Sequence, residues 1–592
     1  MLQWLKTKTV DLNESIKSHK WTTISGLFLI VALLIIHLCL VSKTFFIDNL
    51  GSIHSAYESW GDIIFHITQI NKFAYEPNFN LNETIFFGEK MHYPFLINLV
   101  SGLLLRLTGF VTFSVMFPVY FLMIANLVLI TLIYNKLFKN ILLTAVAICI
   151  FMLGSGVGAF TYMNKALIDH KPSIQIKEDI LNKKIPTINY FAAQYPNQHI
   201  VFGAPMVLVL MHQRTSFLGL FGFLLFLYLL IQFESYSLLS LKKAIGLGVI
   251  YGLLPMIHTH SFVAASLVLA VYGVILIVKK HWVNFKNLLI ITGTGFVLAI
   301  PQLWYLVGTK SIFTNVSQFA KFRLGWMINP TIGSVQFPIG ETPSIFSLSY
   351  LNFLSSNFGF ILFAFVLAGI YFIIRRKKIK TDNILPILFF LSSIILFLIV
   401  QIIQFQPWDY DNNKVLVYYQ FFAVPFTLWL IFIMFKKYKK IMVVLIPVYF
   451  FITTFSSFIY IIPRLMTART DMPIAFDLPA NHLASYIRLN IPNQIILTSA
   501  VIPNPVSLAG RGVLVGYPGW LWSRGINYSG REKEIRNFYI NPDKNNEILQ
   551  IYQIGYILLD NMAINEYGAK KEVFNKLYNK IFEEGQYILY SY

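Results

Sequence analysis

Apolar residues along this chain gather in long unbroken runs instead of the narrow stripes of water-soluble helices. Runs near 22–42, 112–134, 141–159, 215–233, 244–258, 262–278, 286–308, 357–374, 383–404, 416–435 and 441–463 predict eleven membrane-spanning helices. The first run follows a basic N-terminus and has no small-residue cleavage site after it, which reads as a retained span and not a removed signal peptide. Residues 94–110, which follow Tyr93-Pro94 and are interrupted by Arg106, read instead as an amphipathic helix lying on the membrane interface.

Between the runs, polar sequence is unevenly shared. A large first loop (43–111), the loops 160–214, 309–356 and 405–415, the tight turn His258-Thr259-His260 and a tail from 464 onward all fall on one side. In the tail, Ile495–Ser499, Gly512–Gly516, Tyr556–Asp560 and Gln586–Tyr590 read as strands, and Arg531–Tyr539 and Glu566–Ile581 as helices. The expected architecture is an all-α polytopic membrane domain (1–463), followed by a small α/β domain (464–592) outside the membrane.

Composition agrees: 56% of residues are hydrophobic, only 12% are charged and mean hydropathy is +0.62, against roughly 25% charged in soluble proteins. The net charge of +20 is concentrated in short loops such as Lys136/Lys139, Lys242/Lys243, Lys279/Lys280, Arg375–Lys380 and Lys436–Lys440. That distribution is the positive-inside pattern, not a nucleic-acid footprint. It sets the N-terminus in the cytoplasm and the tail outside the cytoplasmic membrane. The two cysteines, Cys39 and Cys149, lie in apolar runs and give neither a disulfide framework nor zinc spacing. A Walker A loop, a dinucleotide fingerprint, H-E-x-x-H and C-x-x-C-H are all absent from the sequence. Acidic residues are scarce in mid-span, against the pattern of ion-coupled transporters.

Five polar constellations stand out on the loop-rich side. In the first loop, a helix over 54–66 would set His54, Glu58, Asp62 and His66 four residues apart on one face. There Asp62 is suited to accept a proton or, with Glu58, to hold a divalent ion, and His66 to support it; His54 reads as a solvated bystander. Met211-His212-Gln213-Arg214-Thr215 opens the fourth run, where Arg214 and Gln213 suit a phosphate. His258 and His260 flank one turn, suited to phosphate or metal, or to capping helix ends. Trp408-Asp409-Tyr410-Asp411-Asn412-Asn413-Lys414 offers spaced carboxylates for a metal or sugar hydroxyls, with Lys414 for a lipid phosphate. In the tail, Gly510-Arg511 through Gly516-Tyr517-Pro518-Gly519-Trp520-Leu521-Trp522-Ser523-Arg524-Gly525 to Gly530-Arg531-Glu532 combines turn-forming glycines with rings that stack on sugars or dock the tail.

In their order and their shared side, Gly61-Asp62 with His66, Tyr93-Pro94, Gln213-Arg214, His258, Trp408 through Lys414, Gly510-Arg511 and Gly516 through Trp520 resemble the GT-C superfamily of integral-membrane glycosyltransferases. The resemblance implies a polyprenyl-phosphate sugar donor drawn from the membrane lipid and inverting transfer to an acceptor at the outer face. It gives Asp62 the role of general base or metal-associated carboxylate, with His66 in support. Gln213, Arg214, His258, His260, Asp409, Asp411, Asn412, Lys414, Arg511 and Trp520 become the substrate-binding set. Where many relatives have paired acids in the first loop, Asp62 is followed by Ile63, so either Glu58 one turn earlier stands in for Mg or Mn binding or the chemistry is metal-independent. The rival expectations are a non-catalytic scaffold of envelope assembly and a transporter of lipid-linked sugars.

Overall fold

The computed structural model describes residues 20–56, 59–182, 202–211, 213–235, 240–307, 320–325, 345–375, 384–406 and 409–592. In chain order its main helices are α1 (Lys20–Val41), α2 (Trp60–Tyr75), α3 (Leu96–Thr108), α4 (Val111–Phe138), α5 (Ile141–Leu153), α6 (Gly158–Ile168), α7 (Arg214–Ser235), α8 (Leu241–Gly252), α9 (Thr259–Val278), α10 (Trp282–Val307), α11 (Leu348–Arg375), α12 (Leu385–Ile399), α13 (Asn413–Phe435), α14 (Lys439–Met466), α15 (Leu478–Asn490) and α16 (Ser529–Ile540). Among the described residues eight helices, α1, α4, α7, α9, α10, α11, α13 and α14, are long and apolar enough to cross a membrane. The α5–α6 pair, bent by 71°, makes a ninth if counted as one span.

By that criterion the described residues do not reach the expected count of eleven. The runs at 244–258 and 383–404 fold as helices of 12 and 15 residues, about 18 and 22 Å long and short of a hydrocarbon core of about 30 Å. The first stops because Leu254–Ile257, with Pro255, forms a separate turn. The second stops because Ile403–Gln404 leaves the helix to pair as a strand. The 94–110 segment forms α3, with Ile97, Asn98, Ser101, Gly102 and Leu105 buried and Val100, Leu103 and Leu107 exposed. Gly109 ends it in the left-handed conformation at φ 72°.

The α5–α6 break shows how an apolar bundle tolerates an interrupted helix. Its freed backbone groups must find partners inside the protein. Gln420 on α13 donates to the carbonyls of Phe151 (3.0 Å) and Gly154 (2.9 Å). Ser155 N–H donates to Thr453 O, and Ala159 N–H to Ser456 Oγ. Only glycine fits at 156, where a Cβ would lie 1.9 Å from Ser356 O. Helix α13 runs through the middle of the bundle, 83% of its apolar window buried.

The strands are β1 (Phe46–Ile47), β2 (Ile53–His54), β3 (Lys321–Phe322), β4 (Ile403–Gln404), β5 (Ile474–Phe476), β6 (Ile496–Leu497), β7 (Tyr556–Leu559), β8 (Asn579–Glu584) and β9 (Tyr587–Ser591). In the first sheet β2 lies between β1 and β5, antiparallel to both, and so joins the first loop to the start of the tail. At the same end of the bundle, Lys43 Nζ donates to the carbonyls of Arg464 (2.6 Å), Leu465 (2.7 Å) and Thr467 (2.6 Å), fastening the exit of α1 to the exit of α14.

The tail carries a sheet ordered β6-β7-β9-β8, with β6 and β7 parallel and the other pairs antiparallel. Residues 512–516, expected as a strand, make only isolated bridges. Of the expected helix over 566–581, only Lys571–Leu577 is helical, and Asn579–Glu584 is β8. The turn at Gly568, φ 76°, shortens that helix from its start. The tail core takes in Phe65, Ile85 and Phe86 of the first loop. Val513 N–H donates to Thr84 O and Gly516 N–H to Ile85 O, so tail and loop are zipped by backbone bonds.

Candidate functional site

Helix α2 sets the geometry. Residues Ile63 to Ala74 are all buried between bundle and tail, so burial of this apolar helix fixes its position. Asp62 stands in its first turn, just before the buried stretch, and keeps partial exposure. Burial pushes its carboxyl up to about 6, Lys414 pulls it down, and Asp411 adds to the rise.

Lys414 opens α13, and its ammonium lies 3.0 Å from Asp411, one turn earlier. Its field also reaches Tyr93 and Asp62, and His258 and His260 at the α9 N-terminus. Tyr93 meets Asp62, Lys414 and Arg524 electrostatically and hydrogen-bonds Thr215. Burial, above all, raises its hydroxyl pKa, so the ring stays neutral. Residues from α2, the loop before α3, α7, α9, α13 and the tail thus gather around one polar centre.

Behind that centre lies a supporting layer. Asn98 Nδ2 donates to His66 Nδ1 at 3.0 Å and to Gln69 Oε1 at 2.6 Å. A ring nitrogen that accepts leaves the proton on Nε2. His258 shares hydrogen bonds with Ser216 Oγ (3.3 Å, Nε2) and Ser261 Oγ (2.8 Å, Nδ1), and Ser261 with the Tyr418 hydroxyl (2.6 Å). Gln213 Oε1 accepts from Ser216. A Cβ on Gly219 would lie 2.4 Å from His258 Cβ, so glycine there lets α7 approach the histidine.

Other expected site residues are engaged differently. Arg214, buried at the α7 N-terminus, donates through Nη1 to Val115 O and through Nη2 to Ser101 Oγ (2.6 Å), bracing α3 and α4. Asn412 accepts from Phe405 N–H (3.0 Å) and donates to Ile403 O (2.9 Å), shaping the turn before α13. Arg511 is buried at the far end of α2 beside Arg488 and Glu76, and Gly510 before it lies against Asn71. Asn71 is nine residues beyond Asp62, about 14 Å along a helix. Trp520 packs against Phe65, centroids 5.4 Å apart.

The expected stripe also needs correction. His54 is on β2, not on a helix with Asp62, because the segment before α2 pairs with β1 and β5. Nor is it a solvated bystander: it is buried, with ring nitrogens 3.0 Å from Asp48 Oδ2 and 2.9 Å from Met472 O. Glu58, His212, Trp408 and the Asp409 side chain lie outside the described residues.

A divalent ion was expected on Asp62 and Glu58. Among the described residues no group of three His, Cys, Asp or Glu side chains is placed to hold one. The acid nearest in effect to Asp62 is Asp411, which is paired with Lys414. The described donor set does not fit a metal centre.

Thr215 and Arg524 stand inside two of the motifs above without a role of their own, and Glu83 lies outside all of them. Glu83 Oε1 accepts from Thr84 N–H, and its Oε2 meets Arg524 Nη1 at 2.6 Å. The Arg524 guanidinium lies over the rings of Phe65 (4.6 Å) and Tyr93 (5.8 Å). Arg524 was marked by its place in the tail motif; Glu83 had no signal.

No family model matches the sequence, and no curated protein matches it significantly. Solved structures do. The archaeal oligosaccharyltransferase AglB from Archaeoglobus fulgidus, in complex with an inhibitory peptide and a dolichol-phosphate, aligns over 94% of this chain and 72% of its own, with 11% identity and a TM-score of 0.50. The apo form of the A. fulgidus oligosaccharyltransferase aligns over 94% and 73%, with 12% identity and a TM-score of 0.48. At such identity the likeness concerns architecture alone: this multi-pass chain shares its overall fold with that membrane oligosaccharyltransferase.

Proposed function

We propose that the chain is an inverting glycosyltransferase that moves a sugar from a polyprenyl-phosphate donor to an acceptor hydroxyl or amide at the outer face of the cytoplasmic membrane. One observation carries the reading: Asp62, with its carboxyl at about 6, faces Lys414 in a centre assembled from several helices and the tail. A base near neutral pH beside a fixed cation suits proton removal from the acceptor while a phosphate departs.

In this mechanism Asp62 takes the acceptor proton as the acceptor attacks the anomeric carbon. The bond to the lipid phosphate breaks on the opposite side. Lys414 balances the charge that builds on the departing phosphate, and His258 and His260 line its path. Asp411 orients Lys414 through their ion pair. His66, held by Asn98, supports the α2 turn on which Asp62 stands. Gln213 positions Ser216 against His258, and Arg214 holds the helix ends on which this arrangement rests. Arg511 and Trp520 keep the tail against α2. No step is routed through a metal.

The direct test is purified protein with polyprenyl-phosphate sugars, comparing wild type with Asp62→Asn. Turnover by the wild type, lost in a variant that inserts normally, supports transfer. Equal turnover by both removes Asp62 from the chemistry. Lipid flux without transfer would move the assignment to a transporter.

A further inference from the structure

The bend between α5 and α6 leaves a short hairpin against the side of the bundle, and its level is fixed by α14. Ala159 N–H donates to Ser456 Oγ, and the Phe160 ring packs on Phe455 of α14 at 5.0 Å and on Phe360 of α11 at 6.1 Å. Between Lys440 and Arg464, α14 carries no charged residue, so that stretch marks the apolar layer of the membrane. Ser456 lies eight residues before Arg464, about 12 Å down the helix. The hairpin therefore starts inside that layer, on the side where α14 leaves it for the tail.

From there the chain runs sideways. Helix α6 is turned by 71° from α5. Its 11 residues travel about 15 Å across the α5 axis and only about 5 Å along it. The chain then turns through His170, φ 48°, and returns as the helix Ser173–Leu181. Buried Asp179 closes the hairpin: it accepts from the Tyr162 hydroxyl and pairs with Lys171, whose ammonium lies over the Tyr162 ring at 5.3 Å.

The locked hairpin shows an apolar edge. Leu167 follows Phe160 by two turns and shares its face, and Leu167, Ile168 and Ile174 are all exposed. The same face continues into the outside of the spans, where Phe360 and Phe451 are exposed and Phe451 packs on Phe455 at 5.1 Å. Residues 158–182 hold three lysines (Lys165, Lys171, Lys177) and three acids (Asp169, Glu178, Asp179), so their formal charge cancels. Exposed Lys165 and Lys177 have the reach to bring their ammonium groups up to headgroup level. Depth and continuity with the spans make lipid the cover of this edge, and the cancelled charge makes the contact apolar.

We propose that the α6 hairpin is an in-plane anchor, lying in the tail-side leaflet with Leu167, Ile168 and Ile174 against phospholipid acyl chains just below the headgroups. The occupant is bulk lipid, held without preference for headgroup charge. The contact is independent of the transferase reading.

The test is photo-crosslinking of the purified full chain in phosphatidylcholine vesicles doped with a phospholipid bearing a diazirine near the carbonyl end of one acyl chain. Labelled residues are mapped by mass spectrometry. Label is expected on Leu167, Ile168 or Ile174, at the same yield when phosphatidylglycerol replaces part of the phosphatidylcholine. Leu167→Asp combined with Ile174→Asp should lose that label while label on the exposed Phe363 of α11 stays. Should that variant not fold, spin labels at Leu167→Cys and Ile174→Cys, in a Cys39→Ala, Cys149→Ala chain, address the same contact. Collisions with oxygen should then exceed collisions with a water-soluble nickel chelate at both sites. The reverse order, or label on Phe363 with none on the hairpin, would overturn the proposal and leave the hairpin in water. So would sites that neither oxygen nor nickel reaches, which would mark a protein partner or a second copy as the cover. A yield that rises several-fold with phosphatidylglycerol would overturn the apolar assignment in favour of headgroup recognition.

Discussion

The two ends of α2 make a natural comparison. Both carry polar side chains on a helix that is otherwise sunk in apolar contacts, and both meet the tail. At the C-terminal end the polar groups are consumed locally. Asn71 donates to Leu508 O, Lys72 pairs with Glu76 at 2.6 Å, and Arg488 stacks on Tyr75 at 4.6 Å. At the N-terminal end Asp62 meets charges and hydroxyls from distant helices, in unlike-sign balance. The first pattern holds two pieces of protein together. The second leaves a base poised near neutrality. Buried polarity in an apolar chain thus has two meanings, and whether each group is satisfied by one partner or several unlike charges act on one group tells them apart.

The largest expected effect is at Asp62. Asp62→Asn should lower transfer by about 10²–10⁴-fold, the usual share of a general base. The wild-type rate should rise with pH through about 6. Stability should move the other way. The carboxyl holds its proton more tightly folded, at about 6, than at the model-compound value of 3.8. The folded state therefore loses stability as pH climbs between those values, and the loss is constant above them. At pH 7–8 Asp62→Asn should melt at the same temperature as wild type or higher. A clear fall in melting temperature would make this end of α2 structural as well.

Next come the two charges that bracket Asp62. Lys414→Met should cut turnover by about 10²-fold through lost phosphate stabilisation. It should also move the acidic limb of the pH profile above 6, because Lys414 pulls the Asp62 carboxyl down. Asp411→Asn should shift that limb below 6, since Asp411 raises it. Limbs that stay in place would show that the profile belongs to another group.

A smaller effect is expected at Arg214, where Arg214→Met leaves Val115 O and Ser101 Oγ without their donor. The cost is about 1–3 kcal/mol per orphaned buried group, visible as a lower melting temperature with kcat of the folded protein unchanged. A lower kcat at unchanged stability would move Arg214 into the polar centre. The smallest concerns the docked end. Gly510 has φ 78°, and a Cβ there would sit 2.6 Å from Asn71 O. Gly510→Ala should cost about 1–2 kcal/mol and appear as faster proteolysis between tail and bundle, with the pH profile intact.

Much of this was legible in the sequence. Long apolar runs announced the bundle, and Asp62, His258, His260, Asp411 and Lys414, picked out from separate loops, lie within electrostatic reach of one another around Lys414. Helix ends were less readable. Leu241–Gly252 and Leu385–Ile399 stop short because Pro255 and the β4 pairing interrupt them, which apolar periodicity does not register. His54 was misread because a two-residue strand leaves no period to detect. Arg214 looked like a phosphate ligand because a charge at the mouth of a span demands a partner, and sequence cannot say that the partner is a carbonyl ninety-nine residues away. Arg524 and Glu83, 441 positions apart, meet only because the tail returns to the first loop.

That return has a cause in Lys43. By gripping the last turn of α14 it makes the first and final spans of the bundle share one exit, although they are more than four hundred positions apart. The loop bearing Asp62 and the tail bearing Arg524 are therefore two short tethers tied to a single post. Their encounter is a local search at high effective concentration, with little loop entropy left to lose. Cutting the grip would leave every side chain of the centre in place on its own segment, yet dilute one half of it with respect to the other.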